Sequence, residues 1–214
     1  MPTGTVTGVR IVVHLIPLIA FDPSVRFGLS QLVTPANLSQ LIPMGMDYSG
    51  GFTPVHNYEG LVSHTPSSYT QVFRNGFVEA VSFFDAVPLG QPATALRGIY
   101  IENMVLTALT SRLLPLQRDM NVEMPMLIML SVLGAQGYAV VPEGNAYLSL
   151  STRRPIERDA LIMQNTMVES YNADMLKAMK PIPEGGRLDA RRADHVLRGR
   201  LRVPIHFLFS PRRD

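Results

Sequence analysis

Between Gly60 and Phe84 the chain is written for three antiparallel strands and for little else. Gly60-Leu-Val-Ser-His-Thr65 reads as a strand, and Pro66-Ser-Ser68 as a turn. Tyr69-Thr-Gln-Val-Phe-Arg74 reads as a second strand and Phe77-Val-Glu-Ala-Val-Ser-Phe-Phe84 as a third. Asn75-Gly76 joins the last two. It is the dipeptide that a two-residue type I′ turn favours, because both central residues need positive φ. Such a turn sets the register: Arg74 pairs with Phe77, and Val72 with Glu79. Arg74 and Glu79 then share a sheet face, diagonal across the hairpin. They form either a surface ion pair worth up to about 1 kcal/mol or, with Asn75, a recognition hairpin.

The flanks fit an α+β fold around this meander. Val9-Arg-Ile-Val-Val-His-Leu-Ile-Pro-Leu18 is apolar on both faces and predicts a central strand. Phe27–Val33 and Leu38–Ile42 predict short helices, and residues 85–96 a Pro/Gly-rich crossing. Ile101, Met104, Val105, Ala108, Leu109, Leu113 and Leu116 follow a 3.6-residue period and predict a helix over 100–118, with Pro115 expected to kink or end it. Met126–Leu133, Tyr138–Val141 and Asp159–Val168 predict further strands. A final helix over 175–179 would take Asn172 or Asp174 as its cap. The expectation is a mainly antiparallel sheet, with the meander at about 60–84 and helices packed on one face.

Charge divides the chain in two. Residues 1–180 carry 11 Lys/Arg against 13 Asp/Glu, whereas residues 181–214 carry 8 Arg against 4 acids. We expect a single domain over 1–180 and a basic, poorly ordered tail over 181–214. The apolar run Met126–Leu133 is far shorter than the roughly 20 residues of a membrane helix, and the N-terminus lacks a secretory pattern. The absence of cysteine removes disulfides, thiolate catalysis and every cysteine-ligated metal site. A cytoplasmic location fits these features.

Little in the sequence suggests catalysis. There is no phosphate-binding Gly-x-x-x-x-Gly-Lys-Ser/Thr, no Gly-x-Gly-x-x-Gly and no Gly-x-Ser-x-Gly. His14, His56, His64, His195 and His206 show no ligand spacing, so neither a metal nor another cofactor is expected. His14, inside an apolar strand, is read as a hydrogen-bonded core histidine. Arg153 and Arg154 belong to a scatter of arginines that offers a phosphate patch, as do Arg191, Arg192, Arg198 and Arg200 in the tail. The methionines at 120–129 and 163–179 read as core filling or a partner groove.

Five stretches carry a resemblance. They are Val12-Val-His-Leu-Ile-Pro-Leu-Ile-Ala-Phe21, Tyr58-Glu-Gly-Leu-Val62, Ser68-Tyr-Thr-Gln-Val-Phe-Arg-Asn-Gly-Phe-Val-Glu-Ala-Val81, Met126-Leu-Ile-Met-Leu-Ser-Val-Leu-Gly134 and Gly137-Tyr138. In this order they resemble the C-terminal region of bacterial proteins whose N-terminal half is a Schlafen-like, AlbA-type DNA-binding domain, once called divergent AAA. The resemblance covers roughly residues 9–180 and rests most on Phe73-Arg-Asn-Gly76 with Glu79-Ala-Val81. No stretch of the chain matches the AlbA-type domain, so its activity is not carried over. The arginine-rich segment after Pro181 also departs from the family's acidic, aromatic ending.

The resemblance implies a non-catalytic accessory, sensor or protein-interaction domain, with an AlbA-type domain or another protein as partner and a link to transcriptional regulation. One alternative is nucleic-acid binding through the basic tail, which would be salt-sensitive and lost when residues 182–214 are removed. A second is a hydrolase that uses His64 with Glu59 or Glu79.

Overall fold

Strand β1 (Val9–Pro17) lies inside a large sheet because it is buried along most of its length and both of its edges are paired. In the computed structural model of the chain, residues 8–34, 37–46, 52–84, 87–88, 94–141, 155–163 and 165–179 are described. One edge of β1 pairs with β5 (Val78–Phe84) and the other with β8 (Met126–Leu133), both antiparallel. The sheet continues from β5 through β4 (Ser68–Phe73) and β3 (Gly60–Thr65) to the two-residue β2 (Val55–His56). On the far side, β10 (Ala160–Ile162) and β11 (Thr166–Val168) pair with different parts of β8. These eight strands are antiparallel throughout, and the α+β expectation holds.

Burial follows the pleat. Ile11, Val13 and Leu15 point to one side, in rows with Ile128, Leu130 and Val132 of β8 and with Val78 and Ala80 of β5. This inner face forms the core with the helical side of the molecule. That side is a continuous rod: α1 (Gly98–Ala108), a π-turn over Leu109–Leu113 and α2 (Leu114–Asp119). Ile101, Val105, Ala108, Leu109, Leu113 and Leu116 are its buried stripe. Pro115 does not end the helical run. The wider π-turn just before it changes the hydrogen-bond step there, and Pro115 falls in the first turn of α2, where a missing N–H costs least.

The two short helices expected over 27–33 and 38–42 are single 3₁₀ turns, Ser30–Leu32 and Leu38–Leu41. Each buries a leucine, Leu32 or Leu41, in the core. α3 (Met175–Ala178) is capped by Asp174, whose Oδ1 accepts from Lys177 N–H at 3.1 Å.

Three features depart from the sequence reading. The strand expected over Asp159–Val168 is interrupted, so that β10 and β11 sit end to end along β8. A second sheet forms from β6 (Val87–Pro88), β7 (Thr94–Arg97) and β9 (Tyr138–Val141), in the order β6-β7-β9. Its β7–β9 pair is parallel, a long-range contact that the Pro/Gly-rich composition of 85–96 does not signal. The third departure is the turn at Asn75-Gly76, which alters the face that Glu79 occupies. No described helix is long and apolar enough to cross a membrane. Residues 180–214 lie outside the described residues, as do Arg153 and Arg154, so the expectations for the tail and for Arg191, Arg192, Arg198 and Arg200 fall there too.

Candidate functional site

The hairpin loop has three residues, not two. Gly76 N–H donates to Phe73 O at 3.0 Å and Phe73 N–H donates to Phe77 O at 2.8 Å, with φ of +87° at Gly76. That is a type I turn closed by a bulge glycine, the other geometry in which Asn-Gly is at home. The extra residue slides the register by one. Glu79 lies opposite Gln71, and Val72 opposite Val78. The expected Arg74–Phe77 and Val72–Glu79 pairs are corrected accordingly, and the Arg74–Glu79 diagonal pair does not form.

Because sheet faces alternate every residue, that slip carries Glu79 to the outer face, beside Tyr69 and directly opposite His14. Its Oε2 lies 2.8 Å from His14 Nε2, and its Oε1 accepts from the Tyr69 hydroxyl at 2.6 Å. His14 is buried at 8% exposure in the middle of this face, which bears out its reading as a hydrogen-bonded histidine. The Phe77 ring lies 5.4 Å from the imidazole and stacks on Phe73 at 4.8 Å. The outer face thus carries one connected polar group, His14–Glu79–Tyr69, continued by an aromatic pair towards the hairpin tip.

The electrostatics are those of a closed cluster. Burial pushes the Glu79 carboxyl up, but hydrogen bonds from His14 and Tyr69 and the charge of His14 outweigh it, and the net direction is down. Tyr69 moves well above the usual tyrosine value. Burial is the main cause, followed by its hydrogen bond to Glu79 and the carboxylate charge, with Arg10 opposing. An ionised acceptor is therefore held by a phenol that keeps its proton. Both carboxylate oxygens of Glu79 are engaged within the cluster.

The other candidate chemistry does not converge. His64 is exposed opposite Tyr69, and Glu79, which bonds Tyr69, has its two oxygens taken by His14 and Tyr69. Glu59 and His56 are exposed on the loop and edge strand. Among the described residues no group of three metal-ligating side chains comes together. The hydrolase reading thus finds no assembled His64–carboxylate pair.

The hairpin tip is fastened inwards. Asn75 Nδ2 donates to Ala20 O at 3.2 Å, and its Oδ1 accepts from Phe77 N–H. Phe27 N–H donates to Arg74 O at 2.7 Å, and Arg74 N–H donates to Glu59 O. From the helical side, the fully buried Gln117 donates through Nε2 to Gly76 O at 2.6 Å. A Cβ on Gly76 would meet the Phe27 ring at 2.9 Å, which makes glycine necessary there for space as well as for φ. Gln117→Ala should lower stability by about 2 kcal/mol, because it opens a cavity and leaves the buried Gly76 carbonyl without its donor. Thermal melting checks this, and an unchanged midpoint would mean the tip is held by its other bonds alone.

Large apolar side chains stand exposed around this fastened tip. The loops at 18–27 and 57–60 are tied to it by the bonds just described, and they display Tyr58 at 96%, Phe21 at 73% and Leu18 at 45% exposure. Arg74 is exposed among them, and its Nε makes one long bond, 3.4 Å, to Tyr58 O. Sequence reasoning singled out Arg74 and Asn75 but missed Tyr58 and Phe21, since an exposed aromatic in a loop looks like any other before the loops are brought together. No protein-family model, curated protein or solved structure matches this chain.

Proposed function

We propose that this chain is a non-catalytic accessory domain for protein interaction. In this reading it packs against, or regulates, a Schlafen-like AlbA-type nucleic-acid-binding module on the same or a neighbouring chain. The docking surface is the hairpin-tip end of the sheet. The observation that carries the proposal is the exposure of Tyr58, Phe21 and Leu18 around a tip whose backbone and Asn75 side chain are bonded inwards. A pinned scaffold with protruding aromatics loses little conformational freedom on binding, and aromatic and arginine side chains dominate the energetics of interfaces. The closed His14–Glu79–Tyr69 cluster supports the non-catalytic half of the reading. The quoted resemblance, from Val12 to Tyr138, supplies the choice of partner.

The test is to mix the chain with an AlbA-type module from a protein of the resembling family and to measure complex formation by light scattering after size exclusion. A defined complex is expected, weakened at least about tenfold by Phe21→Ala with Tyr58→Ala. Neither substitution touches a core side chain, so the melting temperature should hold. Failure to form a complex at micromolar concentrations, or a complex indifferent to both substitutions, would remove the proposal.

A further inference from the structure

Arg74 stands out at the tip because its charge is not used there. Its backbone is bound on both sides, N–H to Glu59 O and C=O to Phe27 N–H, so the residue is fixed in place. Its side chain makes the single long Nε contact to Tyr58 O, and among the described residues no carboxylate lies within ion-pair distance, although Glu59 is its backbone partner. The two terminal nitrogens of the guanidinium have no acceptor among the described residues. A planar fork with two open donors, on a fixed backbone, suits a carboxylate bidentately. The segments bonded to the tip, at Tyr58 O and Ala20 O, carry the exposed apolar side chains Tyr58, Phe21 and Leu18.

Resting on the docking surface proposed above, we infer that the tip receives an acidic–aliphatic peptide segment of its protein partner, with a carboxylate on Arg74 and flanking apolar side chains against Tyr58 and Phe21. Charge argues for a peptide over a nucleic acid. The segments joined at the tip carry two exposed acids, Asp22 and Glu59, and two exposed bases, Arg26 and Arg74, and residues 1–180 carry 11 basic against 13 acidic side chains. A phosphate polymer binds through many cations in a row, which these segments lack, whereas a single carboxylate needs one guanidinium fork and finds it at Arg74.

The experiment is selection of a random dodecapeptide library, displayed on phage, against the full chain, with Arg74→Ala and a Phe21→Ala/Tyr58→Ala pair as parallel baits. A random single-stranded DNA pool serves as a further probe. Enriched peptides are expected to carry Asp or Glu next to Leu, Ile or Phe. Their affinity should fall about tenfold on Arg74→Ala and again on the aromatic pair, while the DNA pool shows no dependence on Arg74. Melting curves of the variants should overlay the wild type, since all three side chains are exposed. Enrichment of neutral or basic peptides that still need Tyr58 and Phe21 would overturn the acidic partner while leaving the docking surface intact. Peptides indifferent to Tyr58 and Phe21 would overturn both. Arg74-dependent enrichment of DNA would replace the peptide with a nucleic acid.

Discussion

Gly60→Ala is expected to cost at least about 3 kcal/mol and to lower the melting temperature by about 10 °C. Gly60 opens β3 directly opposite Phe73 of β4. A Cβ built there stands 1.9 Å from the carbonyl oxygen of Val72 and 3.0 Å from the Cα of Phe73. Both obstacles are backbone, so no rotamer change relieves them and the strands themselves must part. Among the described residues β3 is held on its other edge by the two-residue β2 alone, so the loss should spread through Leu61, which is fully buried in the core. Gly28→Ala is the control: a Cβ there meets nothing within 4 Å, and its melting point should stay within about 2 °C of the wild type. Equal melting of the two variants would show that the β3–β4 approach is looser than these distances.

Removal of Glu79 is the second large effect. Glu79→Ala strips His14 and Tyr69 of their shared acceptor on a face where His14 is buried, and about 3 kcal/mol should be lost. The more telling variant is Glu79→Gln, which keeps the shape and removes the charge. The folded-state value of Glu79 is depressed below its ordinary 4.5. A depressed carboxyl binds fewer protons folded than unfolded. Its contribution is therefore fully present above about pH 4.5 and is lost as pH falls through the lower folded value. Wild-type stability should thus drop in this acid window, and Glu79→Gln should flatten that part of the profile. Tyr69→Phe, combined with Glu79→Gln in a double-mutant cycle, should be non-additive, since the two side chains share one bond. A wild-type acid limb that survives Glu79→Gln unchanged would assign the acid sensitivity to other carboxylates.

Much of the fold is legible along the chain because it is set by local pattern. The double-sided apolarity of 9–17 places β1 at the centre, and the period of Ile101, Val105, Leu109, Leu113 and Leu116 marks the buried helix stripe. Asp174 caps α3 as its residue type suggests. The second sheet was not legible, because the parallel pairing of β7 with β9 joins segments some forty residues apart, and of the two only Tyr138–Val141 carries a strand signal of its own. The chemistry of Glu79 was lost through a single residue of register. Asn-Gly is equally at home in a two-residue and a three-residue loop, and the two choices put Glu79 on opposite faces of the sheet.

The sequence by itself determined the strands of the meander, the central place of β1, the helical rod and the absence of cysteine chemistry, because these follow from side-chain period and residue type. Only the tertiary structure decided which side chains share a face and which loops meet. It chose the bulged turn because Gln117 holds Gly76, Phe27 fills the space beside it, and Asn75 bonds to Ala20, contacts made by residues up to 55 positions from the hairpin. The same contacts bring His14 to Glu79 across 65 residues and gather Tyr58, Phe21 and Arg74 at one end of the sheet. Long-range packing selects among locally equivalent turns, and that selection positions the candidate site.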